Sequence, residues 1–388
     1  MYRSRLVFFA ACLGMLLFGI GLITLGSVAT GLKAKFSLDD LSTGSLFSIL
    51  PIGILTGSLI FGPLCDKYGY KVFLIISCLL MFTGFQGIAH TASISLLKMY
   101  IFLFGLACGA INGVANAVVS DISLVNKRSN LSLLGVFFAI GALGMPLILG
   151  VLENLFSFSK VISYVSFLTL IATVFFISIR FPPPKQLGGL PLLKGIKLIQ
   201  DQTLILISLF LFCQSSFEGI INNWTTSYLI GQLSISQNKA LFALSLYVAG
   251  MAVMRLLIIS IFRNVKSPNI LIISFFLLFL GCTFLKAGQS FPIAVSGLIL
   301  IGAGLAAGFP VMLGIVGARY SDLSATAFSF VLVTALLGNM MVNYLMGMIA
   351  QIYGIKHLTT VAYFEIALMV VLTFTIIKKL NYNTIKKQ

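Results

Sequence analysis

The stretch "GPLCDKYGYK", residues 62–71, lies at the junction of two long apolar runs, 43–64 and 72–90, and decides how those runs are interpreted. Gly62 permits the close approach of a neighbouring helix, and Gly69 suits the tight turn that a short connection needs. The acidic and basic residues of the stretch favour a polar surface rather than an apolar interior. We therefore interpret it as a surface loop between two apolar helices.

Beyond this loop, the composition of the whole chain is that of a protein embedded in lipid. Of its 388 residues, 59% are hydrophobic and 9% are charged, whereas a soluble domain carries about 25% charged residues. Apolar runs long enough to cross a hydrocarbon core recur throughout. Because lipid obliges every backbone polar group to be paired internally, these runs must be helices. The predicted fold class is an all-α integral membrane protein with twelve transmembrane helices. The predicted spans are approximately 6–30, 43–64, 72–90, 97–119, 130–152, 159–180, 203–229, 238–262, 267–286, 291–318, 324–350 and 357–377.

The longest connection divides the twelve spans into six and six. It reads "FPPPKQLGGLPLLKGIKLIQDQ" and contains a proline run, a glycine pair and several lysines, which is typical of a linker with a short surface helix. The expected domains are an N-terminal six-helix bundle, 1–180, a cytoplasmic linker, 181–202, and a C-terminal six-helix bundle with a short cytoplasmic tail, 203–388.

The two halves repeat each other in sequence. "LIIS" occurs at 74–77 and again at 271–274, an offset of 197 residues, and "GLACGA" at 105–110 corresponds to "GLAAGF" at 304–309. Several matches at nearly one offset indicate two homologous six-helix bundles. Because six is even, both halves run the same way across the membrane. They are therefore expected to be related by an axis along the membrane normal, with a cavity between them near the midplane.

The excess of basic residues predicts the orientation of the chain. The net charge is +16, and with twelve spans 18 basic residues fall on the side of the termini against 7 on the other. The positive-inside rule then places both termini in the cytoplasm. We interpret the charge as a topology signal for an inner-membrane protein in contact with the lipid bilayer, and not as a nucleic-acid-binding surface.

Sequence patterns for other functions are missing. The six cysteines form no C-x-x-C pair, and there is neither zinc spacing nor a glycine-rich phosphate loop. With two histidines in the chain, a catalytic triad is disfavoured. We expect no metal, no cofactor and no enzyme activity, and we exclude transport driven by ATP binding to this chain. A monomer is expected.

The opening stretch resembles the signature G-x-x-x-D-(K/R)-x-G-x-(K/R) of the major facilitator superfamily, and the twelve spans extend this resemblance to the whole chain. It implies a secondary transporter that works by alternating access between two halves. It also implies a cytoplasmic gate, in which these residues act as a brace rather than as substrate contacts. The expected gate residues are Gly62, Asp66, Lys67, Gly69, Lys71 and, from the eighth span, Arg255.

The seventh span contains a polar stretch, "CQSSFEGIINNW", residues 213–224. Gln214, Glu218 and Asn222 follow at intervals of four and so lie on one face of the helix. A charge at the bilayer centre costs roughly 2.5–3.5 kcal/mol on insertion scales, so Glu218 points to a function. Two further amide pairs with the same spacing lie on spans 4 and 11; they are Asn112 with Asn116 and Asn339 with Asn343.

The seventh span also resembles that of the fucose-permease-like sugar transporters, in which a glutamate is followed by a tryptophan and a tyrosine. Here these residues are Glu218, Trp224 and Tyr228, and Arg255 of the eighth span adds to the match. The acidic residues that this family carries in helices 1 and 4 are missing. Proton coupling through those residues is therefore not implied.

These side chains suit a neutral polyol. Amides and a carboxylate donate to and accept from adjacent hydroxyl groups, and an indole face covers the apolar face of a sugar ring. We expect a sugar-like substrate, with Glu218 also able to carry a proton in symport. The expected substrate-binding residues are Gln214, Glu218, Asn222, Asn223, Trp224, Asn112, Asn116, Asn339 and Asn343.

Three alternatives stay open. The amides could join helices to one another without touching a solute, and Trp224 could anchor the chain at the outer interface. The chain could be an exporter, an antiporter of small amphipathic compounds. It could also be a membrane receptor or scaffold that transports nothing, in which case changing Glu218 would cause no loss of solute flux.

Overall fold

The computed structural model describes residues 2–123, 127–183, 200–262, 265–288, 290–320 and 324–385. Within these ranges, side chains are described except at 61–64, 66, 67, 127–129, 132, 324–326 and 381–385.

The described chain is helical, and none of its residues lies in a β-strand. Twelve segments of the described residues are long and apolar enough to span a membrane, which confirms the predicted fold class. The tenth span differs from its prediction because it consists of two helices. The helices are α1 Ser4–Phe36, α2 Asp40–Tyr68, α3 Tyr70–His90, α4 Ile94–Ile122, α5 Lys127–Leu152, α6 Phe158–Ser178, α7 Gln202–Leu233, α8 Gln237–Ser260, α9 Ser267–Ala287, α10 Phe291–Leu305, α11 Gly308–Arg319, α12 Ser324–Tyr353 and α13 Leu358–Ile385, the last preceded by the 3-10 turn Ile355–His357.

The bounds of the helices repeat at the offset seen in the sequence. Helix α3 and helix α9 begin and end 197 residues apart. The fourth span, Ile94–Ile122, and the tenth, Phe291–Arg319, do the same. The duplication therefore extends from short sequence matches to the length and placement of whole helices.

The chain forms two compact units. Unit 1 holds the first six helices together with residues 236–245, and unit 2 holds α7, the remainder of α8 and the helices that follow. The first turns of α8 belong to unit 1 because they pack on α5, where the Asn238 carbonyl lies 3.2 Å from the position of a Cβ on Gly150. The expected boundaries at 180 and 203 stay a prediction. Most of the expected linker, 184–199, lies outside the described residues.

Glycines bring helix backbones into contact inside unit 1. A Cβ on Gly109 of α4 would lie 2.1 Å from the Ile54 carbonyl oxygen of α2. On the other side of the unit, a Cβ on Gly141 of α5 would lie 2.1 Å from the Leu16 carbonyl oxygen of α1. Close approach at small residues is how helices associate in lipid, where apolar side chains gain nothing by leaving one apolar medium for another.

The tenth span is broken at residues 306 and 307, and Pro310 explains the break. Proline has no N–H to donate to the carbonyl four residues before it, and its ring clashes with that carbonyl. The next helix therefore begins afresh at Gly308, with Pro310 in its first turn. The Leu305 carbonyl, left at the end of α10, accepts a hydrogen bond from the Gln214 side chain of α7 at 3.0 Å.

Helix α7 begins at a carboxylate cap. Asp201 accepts hydrogen bonds from the backbone N–H groups of Thr203 at 2.7 Å and Leu204 at 3.2 Å. Burial alone would raise the pKa of Asp201, but the neighbouring Tyr320 hydroxyl, the two backbone N–H groups and the Arg319 guanidinium together lower it below its ordinary value. The charged form of Asp201 is therefore the one that stabilises the folded unit.

Replacing Asp201 by alanine is expected to lower the free energy of unfolding by about 1 kcal/mol, the usual loss for a helix cap. Because the folded-state pKa is the lower one, the contribution is present above the unfolded pKa and fades as pH falls through the folded pKa. Thermal unfolding of the purified protein at neutral and acidic pH measures both effects. Asp201→Asn is the control, since asparagine still caps but does not titrate; an equal acid response in that variant would contradict the assignment.

Candidate substrate-binding site

The opening stretch ends α2 and begins α3. Gly69 makes the turn with φ of 84°, a conformation open to glycine, and its N–H donates to the Cys65 carbonyl at 2.7 Å. Lys71 donates from Nζ to the Ile177 carbonyl at the end of α6, 2.6 Å away. The other expected gate residues of this stretch lie in the last turns of α2 with side chains outside the described part; they are Gly62, Asp66 and Lys67. Their role in a gate stays a prediction.

The side chain of Gln214, the first residue of the expected polar stripe, is hydrogen-bonded to the broken tenth span. Its side chain is 2% exposed and donates to the Leu305 carbonyl. Gly308 leaves room for it, since a Cβ there would lie 2.3 Å from Gln214 Oε1. The amide therefore supplies a hydrogen-bond donor to a carbonyl at the end of α10, where the regular helical pattern stops.

A cluster of amides joins α7 to α12 in unit 2. Asn343 is fully buried, and its Oδ1 accepts from Asn223 Nδ2 at 3.1 Å and from Trp224 Nε1 at 3.2 Å. Asn339 donates to the Ser215 carbonyl at 3.0 Å. Asn223 and Trp224 are 4% and 0% exposed, so the indole lies inside the bundle and not at an interface with water. Whatever else they do, these residues connect helices.

Asn343→Ala is expected to destabilise unit 2 by about 1–3 kcal/mol, because it leaves buried donors of α7 without their acceptor. The thermal unfolding midpoint of purified protein measures the loss. The matched control is Asn116→Ala on α4, an exposed asparagine that bonds to Asn112 of its own helix and otherwise makes one long contact, with Met15 Sδ at 3.9 Å. Equal midpoints for the two variants would show that the amide cluster does not hold α7 and α12 together.

Glu218 lies on a different side of α7, among polar groups that have no direct partners. It is half-buried and feels the charge of Arg255 on α8. The two are not in contact, since the salt bridge found among the described residues is Lys33 with Asp40. Arg255 Nε and the Tyr247 hydroxyl, also on α8, are buried without a hydrogen-bond partner in the described part of the chain. Unit 2 thus brings one acceptor and two donors without a partner in the described residues within electrostatic reach of one another.

The sequence pattern groups Arg255 with the gate, and Tyr247 was not among the expected site residues. Both side chains lie within electrostatic reach of Glu218 in the structure. The sequence contained a signal for this pair, because Tyr247 and Arg255 are eight residues apart and so share a face of α8. Their spacing does not say which helix that face meets, and the sequence alone left the pair unconnected.

The other expected residues divide by exposure. Asn222 is 7% exposed, one turn beyond Glu218, and Asn339 is half-buried. In unit 1, Asn116 of α4 is exposed and donates to the Asn112 side chain at 2.9 Å. This amide pair has surface left for a ligand.

No group of three or more histidine, cysteine, aspartate or glutamate side chains in the described ranges could hold a metal ion. The six cysteines are buried, as small apolar side chains are in a helical interior.

The comparisons with known proteins agree on one family. The model of the Major Facilitator Superfamily matches residues 11–285. A transporter of Sinorhizobium fredii, y4wD, whose name describes it as uncharacterized, is 24% identical over 310 residues, which cover 77% of this chain and 79% of that protein.

Solved structures have the same fold at low identity. A crystal structure of a point mutant of the nucleoside transporter NupG has a TM-score of 0.81 at 17% identity. The match covers 97% of this chain and 99% of the NupG chain. The crystal structure of a D-xylose-proton symporter also has a TM-score of 0.81, at 14% identity, and covers 96% and 97%. With the family model matching well over half of the residues, the chain belongs to the major facilitator superfamily and is a multi-pass membrane transporter, not an enzyme.

Proposed function

We propose that this protein is a secondary active transporter that moves a small hydroxylated solute, most simply a sugar, by alternating access. The observation that carries the proposal is the group formed by Glu218, Tyr247 and Arg255. Buried polar groups without partners are costly unless water or a ligand satisfies them. Two of these three side chains have a buried donor without a partner, so the group is suited to receive a polar ligand.

The chemistry of the group favours a neutral polyol. A hydroxyl group can donate to the Glu218 carboxylate and accept from Arg255 or Tyr247, and adjacent hydroxyls of one sugar satisfy several of these groups together. An anionic solute fits less well, because Glu218 already offsets the charge of Arg255. Asn222 and Asn339 extend the polar face of unit 2, and the half-buried Asn112 with the exposed Asn116 offers amides in unit 1.

The named neighbours support this direction without deciding it. D-xylose, the solute named for one of them, is polyhydroxylated, and that protein shares the fold of this chain. The fucose-permease-like pattern of Glu218, Trp224 and Tyr228 points to the same class of solute.

Coupling to protons and the orientation in the membrane belong to the same proposal. Glu218 is the coupling group, because its carboxylate is matched by Arg255 when ionised and can lose its charge when a proton arrives. The Lys/Arg asymmetry supports an inner-membrane location with both termini in the cytoplasm. In this orientation Gly69 and Lys71 lie on the cytoplasmic side, together with the rest of the proposed gate.

The proposal is tested with purified protein in proteoliposomes. Uptake of labelled pentoses, hexoses and nucleosides is measured with and without an inward proton gradient, against an amphipathic cation and an aromatic acid as non-sugar probes. We expect saturable uptake of at least one hydroxylated solute and accumulation only with the gradient. Flux of the amphipathic probe alone would favour the exporter, and no flux of any probe would favour a receptor.

A further inference from the structure

Helix α13 places a carboxyl group inside unit 2, away from the proposed site. Glu365 is 4% exposed. Its Oε1 forms a hydrogen bond with Ser216 Oγ of α7. Its Oε2 is buried and has no hydrogen-bond partner among the described residues. Ionisable side chains inside a membrane are costly, so a carboxyl group enclosed in this way points to a specific role.

The hydrogens around Ser216 indicate the charge state of this group. Ser216 Oγ lies 3.0 Å from the Cys213 carbonyl as well as against Glu365 Oε1. A hydroxyl has one hydrogen and cannot donate to both oxygens. If the carboxyl is protonated, Glu365 donates to Ser216, and Ser216 donates to Cys213. Each of the two contacts then has its own hydrogen.

The surroundings of Glu365 offer nothing to balance a negative charge. The titratable groups that face it are Cys213 on α7 and Cys282 on α9, both thiols. On its own helix, Tyr363 is directed to Thr283, with the two hydroxyls 3.0 Å apart, and Lys286 lies over the Tyr363 ring. No salt bridge to Glu365 occurs among the described residues. Glu218, by contrast, has the charge of Arg255 within reach.

We infer that Glu365 is a proton-binding site: a neutral carboxylic acid that donates to Ser216 and joins α13 to α7, separate from the solute site. Ser216 and Glu218 are two residues apart and therefore point to nearly opposite sides of α7. One side of α7 packs against the protonated carboxyl group of Glu365, and the other side carries Glu218, the proposed coupling carboxylate. The inference does not depend on the identity of the solute.

The bound proton is visible by infrared spectroscopy of the full-length protein in lipid, without any solute. The difference spectrum between wild type and Glu365→Gln at neutral pH is expected to show the carbonyl band of a protonated carboxylic acid, shifted in D₂O and lost in the variant. Asp40→Asn, at the start of α2, is the control for an acidic residue that is ion-paired, here with Lys33. Carboxylate bands in place of the acid band for Glu365 would overturn the inference.

The helix contact is tested by a pair of serine variants on α7. Ser216→Ala removes the acceptor of the Glu365 proton and is expected to lower the unfolding midpoint, whereas Ser208→Ala removes only a bond to the Leu204 carbonyl of the same helix. Glu365→Gln, which keeps a donor for Ser216, is expected to retain both the midpoint and proton-driven uptake. Loss of gradient-driven uptake in Glu365→Gln with an unchanged midpoint would overturn the separate role and make Glu365 a coupling group.

Discussion

Glu218→Gln is expected to exchange solute across the membrane but to lose accumulation against a gradient. Glutamine keeps the shape and hydrogen-bonding capacity of the side chain but does not titrate, so binding persists while coupling to protons ends. Glu218→Ala removes the acceptor as well and leaves Arg255 without its countercharge. We expect this variant to lose solute affinity by about 1–3 kcal/mol, roughly 5- to 150-fold.

The measurements are counterflow exchange, gradient-driven uptake and solute binding, each on purified protein in lipid. Asp40→Asn serves as the control for a carboxyl group outside the site, paired with Lys33, and should behave as wild type in all three. Normal accumulation by Glu218→Gln would place coupling elsewhere or remove it altogether. Normal binding by Glu218→Ala would show that the carboxylate does not contact the solute, and the proposed site would then be wrong.

Gly141→Ala is expected to be among the most damaging small changes in unit 1. The new Cβ would lie 2.1 Å from the Leu16 carbonyl oxygen and 3.0 Å from the Ile20 nitrogen. Both are backbone atoms of α1 and cannot rotate away, so the two helices must separate along their contact. Overpacking of this kind costs about 1–3 kcal/mol and sometimes more, and the result should be a lower unfolding midpoint with a lower yield of monodisperse protein.

Gly144→Ala, one turn further along α5, is the matched control. Nothing lies within 4 Å of the position of its Cβ, and alanine is favoured over glycine in a helix by up to about 1 kcal/mol. This variant should therefore be neutral or slightly stabilised. Equal losses for the two glycines would mean that α5 responds to the substitution itself and not to its contact with α1.

The fold could be predicted from the sequence because lipid leaves few solutions. Apolar length gives the spans, the need to pair every backbone group makes them helices, and the 197-residue repeat gives two bundles. The turn at Gly69 was also predictable, because a backbone with positive φ favours glycine. The break in the tenth span was missed because proline is compatible with a continuous helix, as Pro146 is within α5.

The site was harder to predict, because a helical pattern gives a face but not what covers it. The pairs Asn112 with Asn116 and Asn339 with Asn343 have identical spacing. Yet Asn116 is exposed and Asn343 is fully buried against α7. Cross-helix partners such as Trp224 and Asn343 are 119 residues apart in sequence. Local propensity contains no information at that separation, whereas the depth and charge of Glu218 were readable from its own helix.

The broken tenth span changes what an alanine scan of α7 can report. Removing the Gln214 amide leaves the Leu305 carbonyl without its donor, so uptake would fall because the transporter itself is weakened, whatever the solute. Removing the Glu218 carboxylate, one helical turn away, would lower uptake in a protein that is still well folded. Loss of uptake therefore has two different causes at positions four residues apart. Measuring stability together with transport distinguishes a position that supports the fold from one that contacts the solute.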